Sequence, residues 1–189
     1  LCAQVVLGAI SCLGFIVSRP WNLLFVSLIL DTIVQALEIF YYTATFCIAN
    51  PPTYWRYADW FLSTPTMLVS FIMYAAFLFD RGLTVGGFIT SYGGLTAIVI
   101  ALDVLMLIFG LLAELKWINR LVGVYCGLVP YVIMFTLIYV YVPTTTWGYA
   151  FLSLQAILWG LYGLAAMLAY HPKNISYNLS VSAPYLSHI

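Results

Sequence analysis

Long apolar runs separated by short polar clusters are the main pattern of this sequence. A helix needs about 20 mainly apolar residues to cross a bilayer. Six runs qualify when charged residues, prolines and glycines are taken as their ends. These runs cover residues 2–17, 22–46, 53–79, 95–115, 117–142 and 147–170. The sequence therefore predicts six membrane-spanning helices.

The connections between successive spans are short, which makes neighbouring helices antiparallel. A glycine-rich stretch at residues 80–94 is predicted to connect the third and fourth spans. Residues 171–189 are too polar to span. The predicted fold is therefore all-α: an up-and-down transmembrane bundle over residues 1–170, followed by a polar tail over residues 171–189.

Composition supports a membrane protein and excludes several other classes. The chain has 189 residues, of which 65 % are hydrophobic and only 6 % are charged, far from the balance of soluble domains. Its six basic and six acidic side chains cancel, so no basic surface for nucleic acid is expected. The expected partner is the lipid bilayer, and whether copies of the chain associate is left open.

No motif for enzymatic catalysis or metal binding is present in the sequence. It has no nucleophile elbow, no HExxH pair and no phosphate-binding loop. The four cysteines lack the spacing of metal ligands. The chain is predicted not to be an enzyme, and no metal site is expected.

Ionisable residues inside the predicted spans are the first functional candidates, because charges at membrane depth are costly and face the bundle interior. Four carboxyl groups and one guanidinium group qualify. They are Asp31, Glu38, Arg56, Asp59 and Asp103. One cation cannot balance four buried anions, so at least one carboxyl group is expected to be protonated. The pattern indicates an interior that handles protons.

Asp31, Gln35 and Glu38 form a polar stripe along the second span. Their spacing of four and then three residues places them on one helix face. Such a stripe is suited to a hydrated ion pathway. It is equally suited to hydrogen bonds that hold helices together, and the sequence leaves both interpretations open.

The third span contains the most specific group of polar residues, within RYADWFLSTPTML at residues 56–68. Arg56, Asp59 and Ser63 lie on one helix face, so that a cation, a carboxyl group and a hydroxyl group come together. This arrangement is typical of a charge-balanced proton acceptor. A buried ion pair that only stabilises the bundle is the alternative.

Three segments resemble microbial rhodopsins, and viral and algal members in particular. RYADWFLSTPTML is similar to the third-helix signature RYxDWxxTTPLLL of that family. In the fourth span, ALDVLMLIFG carries Asp103, Met106 and Gly110 at the family spacing. In the sixth span, LWGLYG is similar to the family's LWxxYP. The resemblance implies a seven-helix fold and a retinal cofactor.

The resemblance also implies roles for individual residues. Asp59 would be the counterion of the retinal Schiff base and the first proton acceptor, Arg56 would hold the outward charge network, and the hydroxyls of Ser63 and Thr64 would lie beside the acceptor. The implied retinal contacts are Trp60, Met67, Asp103, Met106, Gly110, Trp159 and Tyr162. The implied function is light-responsive ion or proton translocation, or photosensing.

Two departures from the family pattern bear on that function. Ser70 stands where outward proton pumps of the family have the carboxylate that resupplies the proton. The family's seventh helix also carries the lysine that binds retinal. The two lysines here, Lys116 and Lys173, lie at the ends of predicted spans, so this sequence is not expected to form a visible pigment by itself. The alternative function is a non-photoactive six-helix channel, transporter or assembly subunit.

Overall fold

Five long apolar helices make up the part of the chain that the computed structural model describes, residues 23–47 and 53–168. A short 3-10 turn, Thr53–Trp55, leads into the second of them. The helices are α1 (Leu23–Phe46), α2 (Arg56–Phe79), α3 (Val85–Glu114), α4 (Arg120–Tyr141) and α5 (Thr146–Leu168). Each is long and apolar enough to cross a bilayer. The chain is a multi-pass integral membrane protein.

These helices confirm the second to sixth predicted spans. The first predicted span, residues 2–17, and the polar tail, residues 171–189, lie outside the described residues. The division into a bundle and a tail therefore stays a prediction.

The prediction that the glycine-rich stretch connects two spans was wrong. Helix α3 begins at Val85 and contains Gly86, Gly87, Gly93 and Gly94. Thr84 starts the helix, because its extended backbone turns the chain and its Oγ accepts a hydrogen bond of 3.1 Å from the N–H of Gly87. Glycine costs a helix about 1 kcal/mol per residue. In a bilayer, however, unpaired backbone groups cost more than that, which favours the helix.

Each described helix packs against the next one along the chain, and α1 also touches α3. Because successive helices are antiparallel, α1 and α3 end where α2 and α4 begin. We call this side the Arg56 end of the bundle, and the opposite side the Asp80 end. Of the described helices, α2 contributes the most buried side chains, so the interior is organised around it.

The apolar core lies towards the Asp80 end. It contains Ile72 and Met73 of α2, Val99 of α3 and Ile138 of α4, all almost fully buried. Helices α2 and α5 meet there through aromatic rings, with Phe71 stacked on Phe151 at a centroid distance of 5.6 Å. This packing fixes the rotation of α2 and therefore the direction in which its polar face points.

The cap at Thr84 gives a test of where α3 begins. Thr84→Ala is expected to lower the free energy of unfolding by about 1 kcal/mol, because it leaves a first-turn N–H without its acceptor. Thr90→Ala is the matched control, since the exposed Thr90 hydroxyl only donates to the Gly86 carbonyl within the same helix. Unfolding in a denaturing-detergent titration measures both. Equal effects of the two substitutions would contradict a helix start at Thr84.

Candidate functional site

Asp59 is a buried carboxyl group held by two hydroxyl groups. Asp59 is only 5 % exposed to solvent. Ser63, one turn further along α2, and Tyr42 of α1 both make hydrogen bonds with its side chain. The Ser63 hydroxyl also lies 3.1 Å from the backbone carbonyl of Asp59. The Tyr42 hydroxyl can stabilise a negative charge on Asp59, whereas the Ser63 hydroxyl can do so only when it donates to the carboxyl group instead of the backbone carbonyl.

Arg56 lies at the start of α2 and packs against an aromatic ring. Its guanidinium carbon is 5.7 Å from the centre of the Trp60 ring, a cation–π distance. Trp60 in turn contacts Tyr57 edge-on at 5.1 Å. The arginine is half-buried, so its charge lies beside the acceptor region and near the Arg56 end. Direct pairing of Arg56 with Asp59 stays a prediction.

Asp103 of α3 is the most deeply buried carboxyl group among the described residues, with no exposed surface. Its Oδ2 lies 2.7 Å from the hydroxyl of Thr64 on α2. The same hydroxyl lies 2.9 Å from the carbonyl of Trp60. A hydroxyl has one proton to donate, so the Thr64 hydroxyl donates either to Asp103 Oδ2, the shorter contact, or to the Trp60 carbonyl.

The second oxygen of Asp103 bears on the protonation state of this carboxyl group. Oδ1 is buried and has no hydrogen-bond partner among the described residues. A carboxylate would leave negative charge on that oxygen in an apolar interior, at a high cost in free energy. The geometry therefore favours a neutral Asp103.

Aromatic side chains of α2, α4 and α5 form pairs across the helix interfaces, which we call the aromatic walls. Trp60 meets Tyr162 edge-on at 5.2 Å, and Trp159 meets Phe135 edge-on at 5.9 Å. Three of the predicted retinal contacts, Trp60, Trp159 and Tyr162, therefore take part in aromatic pairs between helices. Phe135, which the sequence analysis did not select, joins them.

The remaining predicted wall residues lie on α2 and α3. Met67 is half-buried on α2. On α3, Met106 packs closely against Gly127 of α4. A Cβ atom added to Gly127 would lie 3.5 Å from the backbone carbonyl oxygen of Met106. Gly110 makes room for the side chain of Tyr57, because a Cβ atom added to Gly110 would lie only 2.6 Å from the Tyr57 hydroxyl. The roles of these three residues towards a cofactor stay predictions.

The polar stripe of α1 contacts α2 towards the Asp80 end. Asp31 makes a side-chain hydrogen bond with Ser70 of α2. Ser70 is 3 % exposed, and its hydroxyl donates to the carbonyl of Ser27 at 3.2 Å. Ser70 stands where the resembling family has a carboxylate on this helix. The neighbouring helix α1 places the carboxyl group of Asp31 beside it.

The stripe continues from Asp31 towards the acceptor. Gln35 has a buried side-chain oxygen without a hydrogen-bond partner in the part of the chain that the structure describes. Glu38 is half-buried, and its charge acts on Tyr42 one turn further. Tyr42 reaches Asp59, so polar groups of α1 lie between the Ser70 contact and the acceptor.

Tyr42 is a residue of the site that the sequence analysis missed. It lies four residues after Glu38, so it continues the spacing of Asp31, Gln35 and Glu38 on the same helix face. Extending that stripe by one turn would have found it. Tyrosine is common in apolar spans, however, and the spacing alone does not identify its partner.

The comparisons with known proteins agree with this architecture. The family model described as "Bacteriorhodopsin-like protein" matches residues 1–183. The crystal structure of viral rhodopsin OLPVRII superposes with a TM-score of 0.76 at 19 % sequence identity, covering 98 % of this chain and 88 % of that one. At this identity the likeness shows the fold alone. Among curated proteins, none matches.

The neutral state of Asp103 can be tested by infrared spectroscopy. Near neutral pH, the protein should show a carbonyl stretch of a protonated carboxylic acid that Asp103→Asn removes. Thr64→Val should move this band to higher frequency, because the hydrogen bond to Asp103 is lost. Thr66→Val is the matched control, since the Thr66 hydroxyl donates only to the Leu62 carbonyl. A spectrum that Asp103→Asn leaves unchanged would contradict a neutral Asp103.

Proposed function

This chain belongs to the bacteriorhodopsin-like protein family, and we propose that it is a retinal-binding, light-responsive membrane protein that moves protons. The observation that carries the proposal is the Asp59 group. A carboxyl group that is 5 % exposed contacts hydroxyls from two helices, and the next residue on α2, Trp60, forms an aromatic pair with Tyr162 of α5. This combination suits a proton acceptor beside a large apolar ligand.

The described residues would supply most parts of a retinal site. Aromatic rings of α2, α4 and α5 would supply flat apolar walls, and Asp59 would supply an anion for a positively charged ligand group. The amine is the part without a clear source. Of the two lysines, Lys116 is exposed in the connection between α3 and α4, and Lys173 lies outside the described residues.

The proposed role of Asp59 is to accept a proton near the aromatic walls. Retinal, when bound, would supply a positive charge and a change of shape in light. The Tyr42 hydroxyl would hold the carboxylate before the transfer, and the Ser63 hydroxyl, which is within reach of both the carboxyl group and the backbone carbonyl of Asp59, would accept a hydrogen bond from the acid after it. Arg56, on the same helix one turn earlier, adds a positive charge at the side towards which a proton would leave.

Asp31 is the proposed source of the replacement proton. It contacts Ser70, which lies 11 residues from Asp59 on α2, or about 16 Å at 1.5 Å per residue. A carboxyl group at this depth is costly to ionise and therefore holds its proton. The family places this carboxyl group on the helix of the acceptor, whereas here the neighbouring helix would provide it.

A second candidate function is passive proton conduction along α1. The buried oxygen of Gln35, which has no hydrogen-bond partner within residues 23–47 and 53–168, lies between Asp31 and Glu38, which suits a path containing water. Proton flux into vesicles in the dark and without retinal would support this function. Flux that requires both retinal and light would support the first proposal.

Pigment formation tests the proposed function most simply. With retinal alone, the chain is expected to show no hydroxylamine-sensitive visible band, since Lys116 is an exposed residue of the connection between α3 and α4. With retinal condensed beforehand with n-butylamine, which supplies the missing amine, we expect a band shifted to the red of the free condensate. Asp59→Asn should shift it further to the red at mildly acidic pH, because the counterion is lost.

Asp80→Asn is the matched control for this experiment. Asp80 is an exposed carboxyl group at the opposite end of α2, and its substitution should leave the band in place. No band with the condensate would contradict retinal binding and favour the channel or assembly alternative. A band with retinal alone that Lys116→Gln removes would contradict the placement of the amine.

A further inference from the structure

The hydroxyl of Tyr42 lies within reach of ionisable groups from three helices. It makes a hydrogen bond with the side chain of Asp59, and the charge of Glu38 also acts on it. The ionisable groups that act on Tyr42 within the described part of the chain are Asp59 of α2, Glu38 and Tyr41 of α1, and Tyr162 of α5. Two carboxyl groups, one from each of two helices, therefore surround one phenol.

The spacing of Glu38 and Tyr42 brings their side chains together on α1. They are four residues apart, so they are neighbours on one helix face. Aromatic side chains in helices point back towards the N-terminus, over the residues three and four positions earlier. The phenol of Tyr42 therefore extends over Glu38. The ring of Tyr41 packs edge-on against the ring of Tyr42 at 5.5 Å, which limits movement of the Tyr42 ring and leaves its hydroxyl free to rotate.

One phenol cannot donate to both carboxyl groups at the same time, because a neutral tyrosine has a single proton to donate. A hydrogen bond to a carboxylate is about twice as strong as one to a neutral acceptor. An ionised Asp59 therefore attracts the hydroxyl of Tyr42. Once Asp59 carries a proton, an ionised Glu38 is the stronger acceptor. Glu38 is half-buried, so it is easier to ionise than a carboxyl group without exposed surface.

We propose that Glu38 is a positioning residue for Asp59 and acts through Tyr42. The Tyr42 hydroxyl donates to Asp59 while Asp59 is ionised, and it turns to Glu38 once Asp59 has taken up a proton. No proton leaves the phenol, because only the acceptor of its hydrogen bond changes. Glu38 thereby favours proton uptake by Asp59, through competition for the hydroxyl and through repulsion between two negative charges. The role of this coupling in light rests on the proposed function, whereas the coupling itself does not.

An infrared pH titration of the protein in lipid nanodiscs, without retinal, tests the coupling. The carbonyl stretch that Asp59→Asn removes belongs to protonated Asp59, and its growth as the pH falls gives the midpoint of Asp59 protonation. Glu38→Gln should lower this midpoint by about one pH unit, the size of interaction that couples two titrations. Glu114→Gln is the matched control, because Glu114 is the last residue of α3 and pairs with Arg120 at 2.8 Å. It should leave the midpoint unchanged.

Removal of the phenol hydroxyl distinguishes coupling through Tyr42 from simple repulsion between the two carboxyl groups. Tyr42→Phe keeps the ring and should raise the Asp59 midpoint, because the carboxylate loses a donor. In the Tyr42→Phe protein, Glu38→Gln should move the midpoint by less than half of its effect in the unchanged chain, as in a double-mutant cycle. In the Tyr41→Phe protein, which loses the hydroxyl of the neighbouring ring, the effect of Glu38→Gln should remain. Circular dichroism checks that each variant is folded.

The outcomes are separate from those of the pigment experiment, because the titration uses no retinal. An Asp59 midpoint that Glu38→Gln leaves unchanged would overturn the coupling. An effect of Glu38→Gln that is equally large with and without the Tyr42 hydroxyl would also overturn it, because repulsion alone would then explain the shift. Failure to form a pigment would leave the coupling standing and contradict only the proposed function.

Discussion

A carboxyl group inside a membrane helix must find a polar partner on a neighbouring helix, and the described structure depends on this constraint. Three carboxyl groups meet it in the same way, each through a hydroxyl group across a helix interface. The pairs are Asp59 with Tyr42, Asp103 with Thr64, and Asp31 with Ser70. Helix α2 supplies one member of every pair. It therefore fixes the positions of α1 and α3 as well as the site.

The shape of α2 follows from the same residues. Pro65 lacks an N–H, so the carbonyl of Phe61 loses its usual partner. Just before this proline, the hydroxyls of Ser63 and Thr64 lie 3.1 and 2.9 Å from the carbonyls four residues earlier, a contact that often bends helices. The hydroxyls that contact the carboxyl groups thus also lie beside the point where Pro65 removes a hydrogen bond from α2, so the local structure and the site cannot vary independently.

Much of this could be predicted from the sequence, because membrane spans need long apolar runs and buried charges stand out within them. The helix face of Asp31, Gln35 and Glu38 followed from spacing alone. The hydrogen-bond partners of these residues could not be predicted in this way, since spacing shows which residues share a helix face and does not show which neighbouring helix that face contacts. Tyr42 was missed for that reason. The start of α3 was missed because glycines predict a loop in water, whereas a bilayer favours hydrogen-bonded backbone.

The central claim is that light moves a proton to Asp59 and that Asp31 replaces it. The most direct measurement is the pH change outside liposomes that contain protein loaded with the condensate of retinal and n-butylamine, under steady illumination. The account predicts a sustained change that a protonophore abolishes, that disappears with Asp59→Asn and that becomes slower with Asp31→Asn. A sustained, protonophore-sensitive change of the same size in the Asp59→Asn protein would contradict the account.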